Sequence, residues 1–333
     1  MNGRAAVFVL ACLAFTCLLS QPAETYLKLD EQVGGRRIDI KWKKVPVRYF
    51  VSDRGVPGLT SSQLQAAVNR AFRAWEDVAT ASITFQFVGF TAARPGDEDG
   101  LTTLGFLDRP DLQGVLGATV FVLDEQTGEI LESDVFFNSQ SPWSVAANGE
   151  AGKFDLESVA VHEIGHVLGL GHSGLGNVEV RNRAERVTSA EAVMFPIAFD
   201  AGTIEGRRLK ADDVAGVSEL YPDANSRERS GAIHGRVRQG DRGVLGAHVV
   251  AFNPQTGFLI AGFSLNNQGE FDIGGLQPGL HILRVEPIDD GDLDSFFHDG
   301  EMVDVSFKTA YFGAIIVPPG SGTPAVEIQV QPK

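Results

Sequence analysis

The stretch HEIGHVLGLGHS, His162 to Ser173, gathers three of the chain's seven histidines and one glutamate within eleven positions. On a helix, residues four apart lie on one face. His162 and His166 can therefore share one ion, while Val161, Ile164 and Leu168 turn toward a core. Gly169 can adopt the backbone conformation that ends a helix, and Gly171 adds freedom, so the chain can turn back and let His172 supply a third nitrogen. Three neutral imidazoles with an open fourth position are the pattern of catalytic zinc, whereas structural zinc is usually closed by four protein ligands. Glu163 sits next to the first ligand, within reach of a water at the open position. Zinc brings the pKa of such a water down to about 7. Glu163 is then the general base that takes the proton and delivers it to a departing amine. The reaction implied is peptide-bond hydrolysis. An amphipathic helix with histidines on its polar face is the bland alternative, and for a single histidine it is the better one. Five fixed residues in this order arise by chance on the order of once in 10⁴ chains, which decides for zinc.

The flanking sequence supplies elements to position this motif. Residues 45–53 alternate as a strand, and TSSQLQAAVNRAFRAWEDV (Thr60 to Val78) reads as a helix with a Thr60–Gln63 capping box. Its stripe of Leu64, Val68, Phe72 and Trp75 is read as core packing. Further strands are expected at 81–90, 101–107, 117–123 and 130–138, with 124–129 as a bulged hairpin turn. Asp155 is the expected N-cap of the motif helix, and a last helix is expected at Leu209 to Tyr221. Beyond the turn-rich stretch at 222–231 the texture changes to short strands separated by turn signals such as NPQTG and NNQG, with no helical period. The fold class expected is α+β, followed by an all-β sandwich.

A length of 333 residues fits about two domains, and the 43% apolar and 21% charged content is that of a soluble globular protein. A net charge of −15 argues against nucleic acid or an anionic membrane as partner. Residues 1–23 have the layout of a secretory signal, with Arg4 followed by an apolar run from Ala5 to Leu19 that is too short to span a membrane comfortably. The expectation is a secreted, extracellular protein without a membrane span in its mature form; lipoprotein anchoring through Cys12 is the less favoured reading. Both cysteines, Cys12 and Cys17, lie in this segment, so cleavage beyond it leaves no thiol.

HEIGHVLGLGH matches the HExxHxxGxxH signature of the metzincin metallopeptidases, and with Ser173 it resembles the matrixin branch. AVMFP (Ala192 to Pro196) resembles the family's Met-turn, with Met194 as a packing residue beneath the metal. LKADDVAGVSELYP resembles the terminal helix of matrixin catalytic domains, and KWKKVPVRYFV, AFRAWEDV and SDVFFN resemble their N-terminal half. The resemblance covers residues 37–222 and implies a twisted mixed sheet plus three helices. It makes His162, His166 and His172 the zinc ligands and Glu163 the catalytic acid/base. It also implies that the strand beginning at Leu116, Gly117 and Ala118 is the edge that pairs with an extended protein or peptide substrate, and that Pro196, Ile197 and Ala198 wall the primed-side pocket.

The chain departs from the family in places. Matrixins usually hold a second, structural zinc through upstream histidines, and none precedes His162 here. The connection from His172 to Met194 is longer than usual, and its RNRAER stretch (Arg181 to Arg186) is read as a solvated surface loop, with a place bordering the cleft as the less favoured reading. Calcium is a possible further ion: Asp97 to Gly100, Asp124 and Asp134 could offer oxygens, although ordinary solvated turns are the preferred reading. Asp212 and Asp213 are expected to tie the last helix to the Met-turn, and DDGDLD (Asp289 to Asp294) to be a charged loop. With 223–231 as linker, residues 232–333 resemble the carboxypeptidase-regulatory-like, prealbumin-type β-sandwich. Its His234, His248, His281 and His298 lack ligand spacing. A role in folding, docking or attachment is what the resemblance implies for it. The function expected is a monomeric secreted zinc endopeptidase with one catalytic zinc. The alternative is a non-catalytic adhesion or binding protein on a metallopeptidase scaffold, which would have been free to lose Glu163.

Overall fold

Thr60 starts the first helix, α1 (Ser61–Glu76), by the expected capping box: Gln63 N–H donates to the Thr60 hydroxyl at 3.3 Å, and Thr60 N–H donates to Gln63 Oε1 at 2.9 Å. Leu64, Val68, Phe72 and Trp75 are all buried, as their spacing requires. The computed structural model describes residues 5–10, 28–33, 36–108, 114–181, 184–288, 296–297 and 303–333.

The N-terminal sheet has six strands: β1 (Ala5–Leu10), β2 (Val47–Ser52), β3 (Phe85–Thr91), β4 (Thr102–Leu107), β5 (Gly117–Asp124) and β6 (Glu129–Asn138), in spatial order β1-β5-β6-β4-β2-β3. β3, β2, β4 and β6 run parallel, while β5 is antiparallel to β6 and to β1. Apolar residues of β2, β4 and β6 share one core with α1 and α2 (Leu156–Val167). The pairing of β1 spans Thr119 to Asp124 and leaves Gly117 and Ala118 beyond its end. Of residues 1–23, read as an export signal, only those of β1 are described; Cys12, the acidic run 289–294 and His298 also lie outside the described residues.

Asp155 caps α2 as expected, accepting from Ser158 N–H at 2.9 Å and from the Ser158 hydroxyl at 2.7 Å. Arg207 grips the same carboxylate with one edge of its guanidinium, donating from Nε at 2.8 Å and from Nη2 at 2.6 Å, and also donates to the carbonyls of Ala146 and Ala147. At the other end, Trp42 Nε1 donates to the Val167 carbonyl and the Tyr221 hydroxyl to the Leu168 carbonyl, both at 2.8 Å, so two carbonyls left without a helical partner are satisfied. Gly169 takes φ +91°, and a Cβ there would lie 2.0 Å from the Ile40 carbonyl oxygen, so only glycine fits this exit.

The long connection after His172 differs from the loop expected at 181–186. It is a hairpin of β7 (Gly176–Arg181) and β8 (Ala184–Ala190), with residues 182–183 not described. The physical reason is a buried side that the charges of RNRAER obscured: Val178, Val187 and Ala190 pack with Phe195. α3 (Ala211–Leu220) follows, and α4 (Ser226–Arg229) forms within the stretch expected as a linker.

Residues from Gly231 onward form two four-stranded sheets. One surrounds β9 (Gly231–Gln239), which pairs with β10 (Arg242–Gly243), β13 (Glu270–Leu276) and β16 (Val326–Gln329). The other runs β12 (Leu259–Phe263), β11 (His248–Phe252), β14 (Gly279–Glu286), β15 (Ala310–Val317), all antiparallel. Ile233, Val249, Ile260, Phe271, Leu283 and Ile315 meet in their common core, and Ala215 of α3 is buried in it too. The sheet pair is therefore packed on the last helix of the N-terminal region. No helix of the described residues is long and apolar enough to cross a membrane.

Candidate metal centre

His162 and His166 project from adjacent turns of α2, and His172 comes back from the loop beyond Gly169, so that one nitrogen from each lies within 4.8 Å of the others. His166 Nε2 and His172 Nε2 are 3.2 Å apart. Two imidazoles on one tetrahedral zinc, at about 2.0–2.1 Å each, would hold their nitrogens about 3.3 Å apart. His162 Nδ1 lies 2.7 Å from the Val193 carbonyl and His166 Nδ1 lies 2.8 Å from the Leu170 carbonyl. A carbonyl only accepts, so each Nδ1 carries the proton and each Nε2 lone pair is left facing the shared point. Burial lowers the pKa of His162, and burial with the two neighbouring imidazoles holds His166 well below the usual histidine range. Neutral rings are what a cation needs. The cluster fits a zinc site, and among the described residues it is the one grouping of three ligating side chains close enough to hold an ion.

Glu163, one residue from His162, is buried. Its Oε2 accepts the Thr119 hydroxyl of β5 at 2.8 Å. Its Oε1 lies where a Cβ on Gly117 would be only 2.8 Å away, so β5 passes directly beside the carboxylate. Burial pushes the Glu163 carboxyl up to about 7, against the opposing pull of the Thr119 hydrogen bond. Thr119 was not legible from the motif. The signal that could have found it is the strand period of two, which places Thr119 on the same face as Gly117.

Met194 is buried against the inner side of α2, where it contacts the position of Gly165. The turn carrying it is tied down from α3: Asp213 accepts from Val193 N–H at 2.9 Å, Met194 N–H at 3.2 Å and Lys210 N–H at 2.8 Å. Asp212 points elsewhere, to the Ser173 hydroxyl at 2.6 Å and to the backbone N–H of Ala261, in β12, at 2.9 Å. Burial raises both carboxyls, Asp213 to about 6 and Asp212, with Asp213 beside it, to about 8.

The other residues of interest spread around this centre. Gly117 adjoins Glu163, Ala118 is buried with Val120 and Phe136, and Leu116 packs half-buried on the main core. Pro196 and Ile197 line a cavity of about 210 Å³ together with His248, Glu286 and Phe296, while Ala198 is exposed and does not line it. Glu132 and Asp134 are buried, but their oxygens accept backbone N–H groups of the 96–103 segment: Gly100 to Glu132, Gly96 and Thr103 to Asp134. Asp124 accepts from Gln126 N–H across its own turn. His248 stacks on Phe263 with Nδ1 3.2 Å from Glu286, and His281 lies 3.2 Å from the Gly279 carbonyl.

The sequence model of the Matrixin family (Peptidase_M10) matches residues 41–222. Human matrix metalloproteinase-20 is 29% identical over 184 residues, which is 54% of this chain and 32% of that protein. Mouse stromelysin-1 is 26% identical over 182 residues, and rat matrix metalloproteinase-16 is 27% identical over 186 residues; each match covers 54% of this chain, with 33% and 27% of the respective relative. The chain thus spans about a third of the length of these relatives. With the family match covering more than half of its residues, this chain belongs to the matrixins.

Proposed function

We propose that this protein is an exported zinc endopeptidase in which His162, His166 and His172 hold the ion and Glu163 moves the proton. The observation that carries the reading is the convergence of three imidazoles beside a buried carboxylate that Thr119 holds by one oxygen. Zinc bound there supplies Lewis acidity toward a substrate carbonyl and makes a water acidic near neutral pH. Glu163 accepts the proton of the attacking water and returns it to the leaving amine nitrogen. Its burial supports both halves of that exchange, because the carboxyl releases and holds a proton at comparable cost near neutral pH.

An extended peptide is proposed to pair with the backbone at Leu116 to Ala118, beside Glu163, where main-chain hydrogen bonds bind any sequence. Removal of residues 1–23 as an export signal takes β1 with it and frees the rest of the β5 edge. Pro196, Ile197 and Ala198, which follow the Met194 turn, are proposed to wall the primed-side pocket. The peptidase region is taken as 37–222, and 232–333 as a carboxypeptidase-regulatory-like β-sandwich. The Glu163→Gln variant tests the chemistry. One zinc per chain is expected to remain, with kcat/KM on a quenched peptide falling by about 10²–10⁴. Unchanged cleavage by the zinc-loaded variant would overturn the mechanism.

A further inference from the structure

His162 and His166 are carried on α2, but His172 lies beyond the helix end, and its loop needs support from elsewhere. That support comes from the C-terminal sheet pair. Asp212 bridges the two regions, accepting the Ser173 hydroxyl on one oxygen and Ala261 N–H of β12 on the other. Two residues along β12, on the same face, Phe263 stands 5.5 Å from Phe296, whose ring meets the His172 ring edge-on at 6.4 Å and 77°. At Gly174 a Cβ would lie 2.9 Å from His248 Nε2 and 3.0 Å from Phe263 Cζ, so the sheet pair backs this loop closely. Leu175 is buried with Ala192, Val250 and Ala261, and Ser173 N–H donates to the Met194 carbonyl at 2.9 Å. Residues 172–175 are clamped between the Met194 turn on one side and the sheet pair on the other.

We propose that the C-terminal region is a working part of the metal centre, and that Asp212 and Phe296 are positioning residues that set His172 for the ion. This rests on the zinc reading above. Groups that orient a ligand from outside the ligand shell typically change metal affinity by about 10–100-fold when removed. Such a role also accounts for a buried carboxylate that spends both oxygens on holding chain segments together.

The test uses the full chain and zinc competition against a chromophoric chelator. Phe297 is the control: it is as buried as Phe296 and lies 5.4 Å from the same Phe263, while the ring that meets His172 edge-on is that of Phe296. Phe296→Ala is expected to weaken zinc binding about tenfold or more, and Phe297→Ala to leave it within about twofold, although both loosen the same cluster. Asp212→Ala should weaken zinc comparably, and Asp212→Asn, which keeps an acceptor for Ala261 N–H, should restore most of the loss. The d–d spectrum of the cobalt-substituted protein should change in Phe296→Ala and not in Phe297→Ala. If an alanine variant does not fold, Phe296→Leu is read against Phe297→Leu. Equal effects of the two phenylalanine changes, or an Asp212→Ala protein with unaltered zinc affinity, would overturn the proposal. Failure of the unmodified protein to bind zinc would instead overturn the zinc reading on which it rests.

Discussion

Gly165 lies within the histidine motif, on the side of α2 that faces Met194 and Trp75. A Cβ there would sit 2.2 Å from Met194 Sδ, 3.0 Å from Met194 Cε and 3.0 Å from Trp75 Cζ2. Restoring ordinary contact requires the sulfur to retreat by roughly 1 Å, yet Met194 is 2% exposed and Trp75 fully buried. Overfilling a packed core costs about 1–3 kcal/mol. Helix propensity works the other way, since alanine in a helix is favoured over glycine by about 1 kcal/mol. The steric term is larger because neither neighbour has space to yield, so Gly165→Ala is expected to destabilise the zinc-free protein by about 1–2 kcal/mol.

The metal should feel the same change. The displaced turn carries the Val193 carbonyl, which accepts from His162 Nδ1 at 2.7 Å, and the Met194 carbonyl, which accepts from Ser173 N–H next to His172. Zinc affinity should fall by about 10–100-fold, as for other groups that orient ligands. Urea unfolding of zinc-free protein and competition titration read the two effects separately. Met194→Ala supplies the cycle: in that background the clash with the sulfur is gone and only the 3.0 Å approach to Trp75 remains, so the cost of Gly165→Ala should fall. A Gly165→Ala protein that is more stable than its parent and binds zinc equally well would refute the packing argument.

Arg207→Ala leaves the buried Asp155 without its two-pronged partner at the start of α2, and should cost about 3 kcal/mol or more in urea unfolding; a loss below about 1 kcal/mol would contradict this. Asp134 is pushed up to about 7 by burial, from a carboxyl value of 3.8. Between those pH values the folded chain holds a proton that the unfolded chain has released, so stability from this group falls as pH rises through the window. Asp134→Asn should remove that slope, visible as a smaller difference between urea midpoints at acid and neutral pH; an unchanged slope would refute the assignment. Thr119→Val withdraws the hydroxyl from Glu163 Oε2 and should lower kcat about tenfold, with KM and zinc content unchanged, since no ligand is touched.

What could be read from the sequence divides along physical lines. The motif helix, its Asp155 cap and the α1 stripe are local patterns, and the structure forms them where the spacing places them. The hairpin after His172 was obscured because its charged run hides a buried side that exists only against Phe195, and a bulge breaks the strand period. Thr119 and Phe296 reach the centre by strand pairing and by packing between regions distant in sequence. No local pattern encodes such contacts. Nor did the spacing of Asp212 reveal that one of its oxygens would accept from β12, because that partner lies 49 residues further along the chain.

The adjacent acids of α3 show how a local pattern acquires a long-range role. Successive helical residues project about 100° apart, so Asp212 and Asp213 cannot serve the same neighbour. Asp213 takes the N–H groups of Val193 and Met194, while Asp212 takes Ser173 and Ala261. The positive end of the helix dipole favours acids in this first turn, but burial of both at once works against their charge and raises both carboxyls. Two buried acids side by side are a costly way to start a helix if capping were their only use. Their partners supply the reason: one turn of α3 joins the Met194 turn, the loop after His172 and the C-terminal sheet pair, and Ala215 on the next turn is buried in the core of that pair. The metal centre is thus braced by a helix whose own packing depends on residues beyond the family match.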